Sequence, residues 1–164
     1  MKRTLIPFSL TPSWVGAWLR RTDLPEVCGK SLARCDISTG RLTIPVVGGA
    51  SVLKRLGADP ILSEHGKWRR EHLGAWNAAY GRTPYYIHLM PQIEEVYATS
   101  EGLTLSRFNA RLLDIVASWI EPAIIGAENP ALESIRNEIK VKIEPSLSIF
   151  DAIFRLGKET AFGL

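Results

Sequence analysis

The chain has 164 residues, a net charge of +3 and 46% hydrophobic residues, a composition that suits one compact domain with a substantial core. No apolar run approaches the roughly 20 residues that span a bilayer, so no membrane insertion is expected. The 20 basic residues are scattered among 17 acidic ones, which argues against the one-sided basic face that nucleic-acid binding needs.

The opening "MKRTLIPFSLTPSW" is basic and partly apolar. Pro7 and Pro12 interrupt it and no small-residue cleavage site follows, so the expectation is a cytosolic protein without a signal peptide. Residues 3–8 read as a short strand. Thr11 or Ser13 then offers an N-cap for "PSWVGAWLRR", where Trp14, Val15, Trp18 and Leu19 recur at helical spacing. Cys28 and Cys35 match no zinc spacing and read as packing residues.

Leu32–Ile37 and Leu42–Val47 read as two strands joined by the turn signal "STG". Pro45 has no N–H for a ladder and belongs at an edge or strand end. "DPILSE" is a possible third strand. A first central helix is expected over 67–80, ending at Gly81 as its C′ residue. Pro84 opens a second, through about Ser100. A third runs from Thr104 or Ser106 to Glu121, stopped by Pro122. After a polar linker, the alternation in "IKVKIE" (139–144) predicts a strand. Ser148, with Asp151 three residues on, predicts a capped C-terminal helix closed by Gly157. The fold class is therefore α+β: a single domain over 1–164, with a small mixed or antiparallel sheet packed by three central helices.

On the first central helix, Trp68, His72, Leu73, Ala75, Trp76, Ala79 and Tyr80 share one face, opposite Arg70, Glu71, Gly74, Asn77 and Ala78. His72 lies amid the apolar arc between two tryptophans. It is either a hydrogen-bonded core histidine or a neutral, desolvated imidazole serving as general acid or base. Arg69 either receives an anion near the helix start or extends to water. On the third helix, Asn109 interrupts a stripe of Phe108, Leu112, Leu113, Ile115, Val116, Trp119 and Ile120. A buried amide there clamps a neighbouring loop or reaches a ligand.

Neither common nucleotide fingerprint occurs, and there is no GxSxG and no HExxH. His65, His72 and His88 share no metal spacing. No metal and no cofactor are expected.

The run "KSLARCDISTGRLTIPVVGG", then "WRREHLGAWNAAYGRTPYY", then "SLSIFDAIFRLGKETAFGL" resembles the WbqC-like bacterial protein family over about 28–164. The matching positions are Lys30, Arg34 and Cys35; Leu42 to Val46; Trp68, His72, Tyr80, Pro84 and Tyr85; and Leu147 to Asp151, Phe154, Gly157 and Glu159. The passage before Lys30 is shorter than the family's, and its tyrosine and acidic positions have no counterpart. The resemblance implies a place in surface-polysaccharide (O-antigen or capsule) gene clusters. On one reading the protein is an enzyme acting on an activated or amino sugar. His72 would then be the acid or base, with Lys30, Arg34 and Arg69 on a phosphate or carboxylate. Tyr80 and Tyr85 would supply hydroxyls, Trp68 or Trp76 a wall for the ring, and Asp151 either a partner for His72 or its own helix cap. The partner implied is a nucleotide-sugar or other anionic small molecule. On the other reading it is a non-catalytic binding or scaffold protein of the same pathway.

Overall fold

The computed structural model describes residues 5–25, 27, 29–55, 57–124, 131 and 133–164, with the backbone alone at Lys30 and 122–124. Cys28 lies outside them. The first helix, α1, spans Pro12–Leu19. Pro12 sits at its first position, where the missing N–H costs nothing. Among the described residues no strand precedes it: of the strand expected over 3–8, residues 3 and 4 lie outside them, and residues 5–10 are irregular. Their backbone is held from outside, Phe8 N–H by the Leu32 carbonyl, and Leu10 adopts a left-handed φ of 40° while fully buried.

β1 (Arg34–Ile37) and β2 (Gly40–Thr43) form an antiparallel hairpin with Cys35 opposite Leu42 and Asp36 opposite Arg41. The two-residue turn Ser38–Thr39 sets the register, placing Cys35, Ile37 and Leu42 inward and Arg34, Asp36 and Arg41 on the other face. The "DPILSE" segment does not form a full strand. It makes isolated bridges, Leu62 to Val46 and Ile61 to Thr104, that extend the hairpin irregularly. Pro45 lies just beyond β2 and contributes only its carbonyl, which accepts from Ser63 N–H.

The expected central helices are α2 (Trp68–Tyr80), α3 (Tyr86–Ala98) and α4 (Leu105–Ile124). Burial on α2 follows its wheel, with Trp68, His72, Trp76 and Tyr80 inside and the opposite set exposed. Gly81 ends α2 in right-handed, not left-handed, conformation, so the glycine is not needed there for its φ. Pro122 does not stop α4. The carbonyl deprived of a donor is that of Ser118, an exposed residue, and it can turn to water.

The strand expected over 139–144 is absent: residues 139–142 are the end of α5 (Glu133–Lys142), and Ile143, at a bend, and Glu144 follow it. Ile139 and Ile143 are 4% and 9% exposed whereas Val141 is 83% exposed. Three apolar residues at alternate positions satisfy both periodicities. Burying the pair four apart settles the choice for helix. Of the polar linker expected over 126–138, residues 126–130 and 132 lie outside the described residues, and 133–138 are helical, forming the first part of α5.

α6 (Ile149–Leu156) is the most deeply buried element, with Ile149 through Phe154 all inside. Ser148 caps it, accepting Phe150 N–H. Gly157, at φ 59°, turns the chain into a 3-10 segment, Gly157–Gly163, that packs on α4 and α5. Phe154 stacks on Tyr80 at 4.5 Å and Phe150 meets Trp76 edge-on, so α6 locks onto α2. Each such ring contributes about 1.5–3 kcal/mol of burial.

Candidate functional site

His72 is 5% exposed and both ring nitrogens are engaged. Thr43 carbonyl, 3.0 Å from Nε2, can only accept, so Nε2 carries the proton. Nδ1 therefore accepts the Tyr97 hydroxyl at 2.9 Å, and that oxygen accepts Trp76 Nε1–H. Phe8 stacks on the imidazole and Trp68 meets it edge-on. Burial pulls its pKa down to about 4, so the ring is neutral at pH 7. In this geometry the imidazole ties α2 and α3 to the end of β2.

The neighbours of His72 on α2 are similarly committed. Trp68 donates from its indole to Ser63 carbonyl. Arg69 lies over the Trp68 ring, forks onto Glu64 and donates from Nε to Ser100. Tyr80 hydroxyl accepts Ser38 N–H in the hairpin turn and donates to Asp151, whose carboxylate also holds Arg155. Burial first, and then the Asp151 charge, push the Tyr80 hydroxyl above its ordinary pKa. Asp151 thus serves neither His72 nor the helix cap. Tyr85 is half-buried, edge-on to Trp119 and against Gly157. Asn109 is a clamp: its amide donates to the carbonyls of Ile6 and Leu32.

Arg34 stands apart. It is half-buried on the polar face of β1 and has no ion-pair partner among the described residues. It lines a groove of about 230 Å³ together with Asp36, Arg41 and the hydroxyl residues Ser9, Thr11, Ser31, Ser146 and Ser148. The groove is stitched from three distant segments, since Ser148 N–H donates to Asp36 carbonyl and Ile149 N–H to Leu10 carbonyl. Thr11 is the N-cap residue of α1, so the positive end of that helix adds to the field. The strained backbone of Leu10, fixed by burial of its side chain, presents Ser9 and Thr11 to either side.

Of the residues singled out from sequence, the groove therefore collects Arg34 alone. The side chain of Lys30 is outside the described residues; Trp68, His72, Tyr80 and Asn109 are buried in the core, and Arg69 and Tyr85 are half-buried at its edge. Asp36, Arg41 and the hydroxyls escaped sequence reading. The pattern R-x-D on β1, facing an arginine across a two-residue turn, was the available signal. Among the described residues, no three His, Cys, Asp or Glu side chains are grouped to hold a metal, and no helix is long and apolar enough to cross a membrane.

No curated protein and no solved structure matches the chain. A family model, that of the WbqC-like protein family, matches residues 32–134. This stretch includes the charged wall of the groove and the whole His72 network apart from Phe8, while all five hydroxyl residues lie outside it. Since the match covers well over half of its length, the chain belongs to the WbqC-like protein family.

Proposed function

We propose that this domain is a cytoplasmic enzyme of bacterial surface-polysaccharide assembly that acts on an activated or amino sugar, and that its groove seats the sugar's anionic group. The observation that carries the reading is Arg34: a half-buried guanidinium without an ion-pair partner among the described residues, in a groove otherwise rich in hydroxyls. A guanidinium offers a planar fork that matches phosphate or carboxylate oxygens, and hydroxyls complete their shell. Pockets that enclose drug-sized molecules run to about 300–1,000 Å³. At about 230 Å³ this one suits a charged head group, with the remaining ligand lying along the surface.

The second reading, a non-catalytic binding protein, is favoured by two features. His72 spends both nitrogens on the core, and the carboxylate lining the groove, Asp36, is already paired with Arg41. Thermal unfolding of the wild type and Arg34→Met with a panel of nucleotide sugars tests the shared premise. A ligand at 100 times its Kd stabilises by about 2.7 kcal/mol. The wild type should gain this and Arg34→Met should not; an equal response in both proteins would place binding elsewhere. Product formation, followed by phosphorus NMR with the stabilising compound, separates enzyme from binder.

A further inference from the structure

We infer that the groove takes a diphosphate rather than a single phosphoryl group, with Asp36 as the internal competitor that holds Arg41 until the ligand arrives. The inference rests on the anion-binding reading of the groove and adds the class of anion. The register puts Asp36 opposite Arg41 and Arg34 opposite Thr43, so the two arginines are diagonal neighbours on one face of the hairpin. Diagonal positions lie about 7–8 Å apart at their Cα atoms, a gap that two long side chains can close around one ligand. Both arginines and Asp36 line the same groove.

Arg41 is not free at rest. Its Nε lies 2.7 Å from Asp36 Oδ1 and its Nη2 3.4 Å from Oδ2. The two side chains are 56% and 40% exposed, however, and pairs so placed are weak enough for an incoming anion to displace. Contrast the Arg155–Asp151 pair, where the carboxylate is buried and further held by Tyr80. Arg34, Arg41 and Asp36 together carry a net single positive charge. A single phosphoryl group on Arg34 would leave the Arg41–Asp36 pair intact. Two phosphoryl groups joined by one bridging oxygen offer a second set of oxygens, and Arg41 can exchange the carboxylate for them. Asp36, once released, is an acceptor for a neighbouring ligand hydroxyl. A nucleoside diphosphate sugar carries both features.

The test uses inorganic phosphate and inorganic pyrophosphate as probes, titrated by calorimetry at fixed ionic strength. In the wild type, pyrophosphate should bind at least roughly tenfold tighter than phosphate, about 1.4 kcal/mol. Arg41→Met should erase that advantage, weakening pyrophosphate at least roughly tenfold more than phosphate, which also loses some affinity because Asp36 is left unpaired. Asp36→Asn, which removes the competing charge but keeps the side chain's shape, should bind pyrophosphate about threefold tighter or better, because Arg41 no longer has to leave a carboxylate. Equal affinity for the two probes, or an Arg41→Met variant that keeps the preference, overturns the diphosphate inference while the anion reading stands. Binding of neither probe, or binding untouched by Arg34→Met, overturns the anion reading itself. Because Arg41 is exposed and Asp36 half-buried on the outer face of the hairpin, their variants should fold; unchanged far-ultraviolet circular dichroism verifies this.

Discussion

The hydroxyl of Tyr97 donates to Nδ1 of His72 at 2.9 Å, a direction set by the Thr43 carbonyl on the other side of the ring. With Nε2–H committed to Thr43 carbonyl, the imidazole has neither a free lone pair nor a free proton to offer. His72→Ala should therefore destabilise by about 2–5 kcal/mol, through a cavity and the stranded Thr43 and Tyr97 groups. Urea unfolding measures it. A change below about 1 kcal/mol would mean the ring is not part of the core's support.

The same ring makes stability depend on pH. Burial lowers its folded-state pKa from 6.5 to about 4, so between these values the unfolded chain binds the extra proton. The His72 contribution is complete above pH 6.5 and is lost as pH falls toward 4. The gap corresponds to roughly 3 kcal/mol. Unfolding midpoints across pH 7 to 4 should fall more steeply for the wild type than for His72→Gln. Parallel curves would show that another group governs this window.

Asn109 holds the carbonyls of Ile6 and Leu32, the segments that deliver Ser9 and Thr11 and, from the other side, Ser31 and Arg34. Asn109→Leu takes the amide donor from Ile6 carbonyl and one of two donors from Leu32 carbonyl, which keeps Phe8 N–H, at a total cost of about 1–3 kcal/mol. It should also loosen the groove. Hydrogen exchange should speed up at Phe8, whose N–H bonds Leu32 carbonyl, before global unfolding does.

Gly157 illustrates a site that cannot take a side chain. At φ 59°, an added Cβ would stand 2.6 Å from the Tyr85 ring. Gly157→Ala should cost at least about 1–3 kcal/mol from backbone and contact together, read as a lower melting temperature. An unchanged value would mean that the α6 terminus shifts without penalty.

How much of this was legible in the sequence differs by element. The faces of α2 and α4 were readable because each is long enough to repeat its apolar stripe several times. The hairpin was readable because "STG" separates two β-rich runs. Residues 139–144 were not, since Ile139, Val141 and Ile143 satisfy two periods, and only the packing of α5 decides between them. His72 was readable as a buried residue, but its partners come from β2 and α3, and no local pattern names them. The groove was least visible: Ser9 and Ser148 come from opposite ends of the chain. Arg34, Asp36 and Arg41 read locally as ordinary hairpin charges until the termini close around them.

The most direct test of the account is an amide and arginine-side-chain proton–nitrogen NMR titration with a nucleoside diphosphate sugar. The predicted result is that shifts concentrate on Ser9, Thr11, Arg34, Asp36, Arg41 and Ser148, including the Arg34 Nε–H, and vanish in Arg34→Met. Shifts centred on α2 around His72, with the hairpin undisturbed, would contradict it.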